Sequence, residues 1–450
     1  MVRGQKDTEP WSLPELSKAL NYITMADDMP CKFCFFIDGL DEYDGDYLDL
    51  CELMISLSKL KNIKLCVSSR PANVFNDAFG GGAKLCVQDL TRGDILSYVN
   101  DRLSNYPRWE LLAVGSKIKE QLVEDVGERA EGVFLWAFLV TRSLRDGLTN
   151  GDTLQDLRKR LVALPTDLER LFRQMLDAVD SLYHEKMARI FLIALWATIP
   201  LNLMVYAYHN EEEDDEDHAI RRPVKFLCEG YEQTKRHINA WSSGLLVVQH
   251  QEVEFLHRSV RDFLYTGEMN NYLAGKLTFK FDAALSISRA FVAIIKSPIL
   301  DMIPQSDRWQ IRWTDLFRCV GNAIQFAEQA EPSNSMKILK LMDALENAME
   351  MLSEAKLVDF TGVCEAPRLF VRKVILHSNL TWYVEIKLKD PTYLGDFTEP
   401  PLRTLLYYPH KSGRRRHNLG TDTFAKMLDL LLQHGQDLND TDSRLGGNTY

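Results

Sequence analysis

The sequence predicts an α/β amino-terminal portion built on a parallel sheet, followed by a helical remainder interrupted by one β-hairpin. Three observations predict it. Short apolar runs alternate with helical patterns over the first hundred residues, and the strand signal fades from about residue 110. Between residues 231 and 264 a helical pattern, two β-like runs and a second helical pattern follow one another.

Phe33–Ile37 is continuous and apolar and ends in Asp38, the pattern of a buried central strand. Asp46–Leu60 has helical spacing through Leu50, Leu53, Met54 and Leu57. Ile63–Val67 predicts a second strand, stopped by Ser68-Ser69-Arg70-Pro71. Lys84–Gln88 predicts a third, and Thr91 with Asp94 three residues on predicts a capping box opening the next helix. Helical patterns then cover Ser116–Glu128, Val133–Arg145, Leu154–Leu161 and Asp167–Leu182. The acidic run Glu211–Asp217 predicts a solvated loop. Tyr231–Trp241 predicts a helix, Leu245–Val248 and Val253–Phe255 a hairpin, and a further helix starts at His257, an order compatible with a winged helix. From residue 273 to about 420 the pattern is mostly helical and carries no chemical motif.

A chain of 450 residues is too long for one compact core and predicts two to four domains. Its net charge of -11 argues against a nucleic-acid-binding body, which needs a basic surface. Eight cysteines over this length form no disulfide framework, and Cys34, Cys66 and Cys86 in apolar runs suit reduced, hydrophobic thiols in the cytoplasm. No signal peptide is visible at the N-terminus. Ile190–Tyr208 is long enough to span a bilayer, but Pro200 and Asn202 interrupt it, so a buried helix running into a second element is expected and no membrane partner. Lys411–His417 is a basic cluster expected in an exposed loop, with a nuclear-import signal as the alternative.

The chemistry concentrates in Phe35–Glu42, FFIDGLDE. A strand delivers Asp38 to the carboxyl edge of a parallel sheet, where ligands collect and where a carboxylate can hold Mg²⁺ through water. Gly39 permits a close turn, and Asp41 and Glu42 can polarise an attacking water. The plainer alternative is a strand ending in an acidic turn. Arg70, at the end of the next strand, can meet a phosphate across the same edge, so the two motifs support each other.

These segments, with Leu90–Ile95, resemble the Walker B, sensor 1 and following helix of fungal NACHT proteins of the STAND P-loop NTPases, close to the nephrocystin-like group. Glu131–Trp136 is similar to the family's lead into its helical domain, although it departs from the Gly-x-Pro form. Phe255–Leu264 resembles the winged-helix motif whose histidine touches the phosphates of ADP; by that resemblance His257 would hold a closed state, the alternative being a helix-start histidine without a ligand. Leu430–Asn439 and Gly447–Thr449 resemble the end of one ankyrin repeat and the opening of the next, at a cut edge. The resemblance implies a partial NACHT sheet over 10–108, a helical domain over 109–180, a winged-helix-like domain over 181–268, a helical domain of unknown role over 269–420 and ankyrin-like repeats from 421 to 450. In intact relatives it implies ATP or ADP with Mg²⁺, and exchange of nucleotide driving self-association or protein recognition.

One part of the family pattern is missing. No G-x-x-x-x-G-K-[ST] occurs, and Gly80-Gly81-Gly82-Ala83-Lys84 has neither the spacing nor the hydroxyl. The family places that loop before the segment at Phe35, so the strand feeding it is expected to be lost too, leaving unpaired edges and an exposed apolar face. The expectation is a signalling switch or scaffold unable to bind or hydrolyse ATP by itself. The alternatives are a catalytically dead protein-interaction module and, more remotely, an AAA-like ATPase. Cys31 and Cys34 have metal-like spacing without a second pair, so zinc is not expected, and no Ser/His/Asp set is offered.

Overall fold

The computed structural model describes residues 32–43, 45–70, 72–112, 115–197, 199–212, 217–220, 230–297, 313–354, 367–390, 392–395, 397, 400–407 and 421–436. The chain forms two compact units, 1–158 and 159–450. Most of the described residues are helical, with one sheet of two strands and one of three.

The first unit opens with β1 (Phe33–Ile37), helix α1 (Tyr47–Ser58) and β2 (Ile63–Val67). The strands are parallel, Phe33 opposite Ile63 and Ile37 opposite Val67, so α1 is the crossover that a parallel pair requires. Asp46 starts α1 by accepting the Leu48 N–H at 2.7 Å. Leu50, Met54 and Leu57, spaced for one helix face, then lie with Phe33, Phe35, Ile37, Leu65 and Val67 around Ile63. Burying each of Met54, Leu57 and Ile63 contributes roughly 1.5–3 kcal/mol. The opposite face of the sheet is open. Cys34 and Cys66 are exposed and Phe36 is 80% exposed, which corrects the expectation of a buried central strand. Among the described residues both strands are edges of a two-stranded sheet.

Helix α2 (Asn73–Phe79) follows, and then the third expected strand fails. Residues 83–86 are irregular and helix α3 begins at Val87, running to Ser104. Leu85 and Val87 are 71% and 62% exposed, so their apolar pattern marks no sheet interior. Thr91 therefore lies inside α3 and caps nothing; its hydroxyl donates to the Gly132 carbonyl at 2.9 Å. Short α4 (Pro107–Glu110), α5 (Ser116–Arg129) and α6 (Phe134–Asn150) complete a helical layer in which Ile95, Val99, Leu103, Leu122, Val126, Trp136 and Val140 are sealed from solvent. Gly132, at φ 79°, makes the left-handed turn between α5 and α6. Helix α7 (Leu154–Ala163) spans the boundary between the units.

The second unit continues with α8 (Leu168–Asp177), α9 (His184–Trp196), β3 (Leu201–Asn202), α10 (Leu203–Glu212), α11 (Gly230–Trp241), β4 (Leu246–Gln249), β5 (Glu252–Phe255), α12 (Arg258–Leu264) and α13 (Gly267–Ala274). The expected helix Asp167–Leu182 ends at Asp177; Asp180 restarts the chain as a 3-10 turn by accepting the Leu182 N–H. Pro200 divides the long apolar stretch as expected, and among the described residues no helix is long and apolar enough to cross a membrane. The first two acidic residues of the 211–217 run extend α10, and 213–216 lie outside the described residues. The three strands run in the order β3-β5-β4, both pairings antiparallel. His250 and Gln251, at φ 49° and 68°, form the two-residue turn between β4 and β5, a left-handed pair that suits strand twist and needs no glycine here.

Helix α14 (Ala283–Lys296) is buried nearly all round and packs against α9, α10 and α15 (Trp313–Gln329) and also against α16 (Ser335–Glu354). A helix apolar on every side belongs at the centre of a helical layer. Its polar groups are satisfied internally, Ser288 donating to the Ala323 carbonyl at 2.7 Å and Ser286 Oγ lying 2.8 Å from His209 Nδ1. Helices α17 (Pro367–Leu376), α18 (Thr381–Lys387), α19 (Pro401–Tyr407) and α20 (Thr421–Gln433) close the array. Gly435, at φ 83°, ends α20 in the left-handed conformation, as a helix-terminal glycine does. The basic cluster 411–417, the ankyrin-like residues 437–439 and 447–449, and Cys31 lie outside the described residues.

Candidate functional site

The carboxyl edge of the β1–β2 ladder gathers Asp38, Gly39, Asp41, Glu42, Ser68 and Arg70. Because Ile37 stands opposite Val67, the next residue of each strand is also opposed, and the Ser68 hydroxyl donates to Asp38 Oδ1. The same Ser68 oxygen accepts the Gly39 N–H at 3.0 Å. Gly39 turns the chain at φ 71°, and Leu40–Glu42 forms a 3-10 turn anchored by buried Leu40. A side chain at Gly39 would meet Glu42 Oε1 at 2.6 Å, so the Glu42 carboxylate lies folded over this glycine.

Asp41 and Arg70 form the second half. Asp41 Oδ1 accepts the Arg70 backbone N–H at 3.0 Å, and Oδ2 is 3.5 Å from Arg70 Nε. The Arg70 side chain is 55% exposed and that of Asp41 17%, so the carboxylate is the sheltered partner. Tyr47, at the start of α1, donates its hydroxyl to the Asp41 carbonyl at 2.9 Å, and its ring packs 5.3 Å from that of Phe75.

Four N–H groups of this edge are turned inward. Gly39 N–H meets Ser68 Oγ, Leu40 N–H the Ser68 carbonyl at 2.8 Å, Glu42 N–H the Gly39 carbonyl at 2.9 Å, and Arg70 N–H Asp41. A phosphate cradle presents such groups outward to the anion. With no G-x-x-x-x-G-K-[ST] in the 450 residues, the groups present supply a carboxylate and a cation but not the cradle for a nucleoside triphosphate. They do not fit that ligand by themselves. Among the described residues no three His, Cys, Asp or Glu side chains are grouped to hold a metal ion.

Sequence reading placed Asp38, Asp41, Glu42 and Arg70 at one edge, and the structure brings them there. It did not assign roles to Ser68 or Tyr47. The signal for Ser68 was available in the strand lengths, since equal five-residue strands in parallel register put it opposite Asp38. His257 belongs to the second unit and caps α12, its Nδ1 accepting the Ser259 N–H at 3.1 Å. That contact requires a lone pair on Nδ1 and places any ring proton on Nε2.

Residues 178–299, from the end of α8 through α14, match a family described as a domain of unknown function, DUF7791. No curated protein and no solved structure matches the chain.

Proposed function

We propose that the chain is a STAND-type, NACHT-like signalling scaffold in which the Asp38–Arg70 edge is a structural lock and not a site of ATP turnover. One observation carries this reading: the strand-end carboxylates and loop N–H groups are engaged with one another through Ser68 and Arg70. The remaining support comes from order along the chain. A βαβ unit with an acidic strand end, a helical layer, and a helix–hairpin–helix unit whose second helix His257 caps come in the order that the resemblance to NACHT proteins implies. The scaffold would act on protein partners or on further copies of itself in the cytoplasm, with residues 421–450 as the start of ankyrin-like repeats.

The test is ATP hydrolysis by the purified chain. Background turnover in wild type and Asp41→Ala alike fits the proposal; turnover that Asp41→Ala abolishes would make the edge a working ATPase centre and overturn it.

A second reading, a catalytically inert interaction module without self-association, draws on the open sheet face at Cys34, Phe36 and Cys66. Sedimentation across a concentration range separates the two. Reversible self-association supports the scaffold, and a strict monomer supports the module.

A further inference from the structure

Between the C-terminal end of α15, the start of α16 and the turn joining α17 to α18 lies a cavity of about 310 Å³, near the lower limit of ordinary small-ligand pockets. The residues that line it include Ala327, Ile338 and Leu380, with Glu328, Asn379 and Trp382. Among the described residues no lysine, arginine or histidine lines it. Burial pushes the Glu328 carboxyl up to about 7, even though a hydrogen bond from the Asn379 backbone pulls it down.

We propose that this cavity is a binding site for an alkylammonium group of the kind carried by a lysine side chain. The chemistry converges on that class. A carboxylate held away from water loses hydration that a cation restores by direct pairing. An indole face attracts a cation through its quadrupole more strongly than other aromatic rings do. Ala327, Ile338 and Leu380 suit the methylene stem that accompanies an ammonium head. An anion would face Glu328 uncompensated, and a purely apolar ligand would leave its charge unpaired. The site is independent of the β1–β2 edge and of the function proposed for it, so its failure leaves that proposal untouched.

Calorimetric titration of the full chain with three probes tests it. N-acetyl-lysine methylamide presents the cation as a protein side chain would, 1,5-diaminopentane presents it as a free amine, and N-acetyl-2-aminoheptanoic acid methylamide, with a methyl in place of the ammonium, is the neutral isostere of the first. At least one cation is expected to bind about tenfold tighter than the neutral compound, with that advantage lost in Glu328→Gln and reduced in Trp382→Leu. Preference for the lysine compound identifies a protein ligand, and preference for the diamine a free amine; both carry the proposal. Binding of the neutral compound as tightly as the cations, no binding of either cation, or unchanged binding in Glu328→Gln would overturn it. Should the variant not fold, the comparison of charged and neutral probes on wild type decides.

Discussion

Asp41 holds Arg70 at two points, accepting its backbone N–H on Oδ1 at 3.0 Å and lying 3.5 Å from its Nε through Oδ2. The residue that sequence reasoning placed to activate water thus grips the residue placed to sense a phosphate. The backbone contact fixes the chain as it leaves β2, and the ionic one is largely open to solvent.

Asp41→Ala should therefore act on stability. The backbone hydrogen bond to a carboxylate carries most of the effect, about 1–2 kcal/mol, because the exposed ion pair adds little. Asp41→Asn, which keeps one acceptor, should recover about half of it. Chemical denaturation of both variants checks this, and a wild-type-like Asp41→Ala would remove the lock.

Gly39 is required by its backbone angle. Gly39→Ala forces an L residue into the left-handed region and should cost about 1–2 kcal/mol. Gly39→Asn should cost less, since asparagine tolerates that region. Equal losses in the two variants would place the cost in contact with Glu42 instead of in φ.

The βαβ unit and these carboxylates were legible in the sequence because two strand-like runs, Phe33–Ile37 and Ile63–Val67, flank a helical pattern and the first ends in Asp38. The failed third strand shows where such reading stops. KLCVQ has a strand-like pattern, yet Leu85 and Val87 are exposed and α3 begins inside it. Thr91 looked like a cap only because that helix was expected to start there. The cluster around Glu346 was invisible for another reason. Its partners Arg368, Arg372, Tyr383 and Tyr393 come from two other helices and a turn, and only the tertiary packing brings them to one carboxylate.

That cluster gives a third prediction. Glu346 Oε2 lies 3.1 Å from the Nε of both Arg368 and Arg372, and the Arg372 and Glu346 side chains are 5% and 2% exposed. Carbonyl contact and ring stacking with Tyr393 also hold Arg372. Burial, with the nearby Glu346 charge, pushes the Tyr383 and Tyr393 hydroxyls well above their ordinary range, so both remain donors. Glu346→Ala should cost about 3–5 kcal/mol by removing the carboxylate that pairs the buried Arg372 guanidinium. Equilibrium unfolding of the second unit's transition measures it; a loss within that of an ordinary surface substitution would contradict the assignment.

His257 offers a cap that a ligand role would not need. His257→Ala should destabilise α12 by about 1 kcal/mol and His257→Asn should restore it, because both histidine and asparagine present an acceptor to the Ser259 N–H. Thermal melting distinguishes them, and identical melting of wild type and His257→Ala would refute the cap.

Glu328 sets a pH dependence. Its folded-state pKa is about 7 against 4.5 unperturbed, so the folded chain binds this proton more tightly than the unfolded chain. The resulting stabilisation is full below pH 4.5 and is lost as pH rises towards 7, by at most about 1.4 kcal/mol per pH unit. Glu328→Gln should flatten that slope and be the more stable form above pH 7. Denaturant midpoints from pH 5 to 8, compared between the two proteins, read it directly, with parallel profiles as the contrary result.

The most direct measurement is the melting temperature of wild type and Asp41→Ala, each with and without MgATP. A ligand that binds the folded state must raise it. If the Asp38–Arg70 edge is a structural lock, Asp41→Ala melts lower and MgATP moves neither protein. A rise of several degrees in wild type that Asp41→Ala abolishes would show a nucleotide at this edge and contradict the assignment.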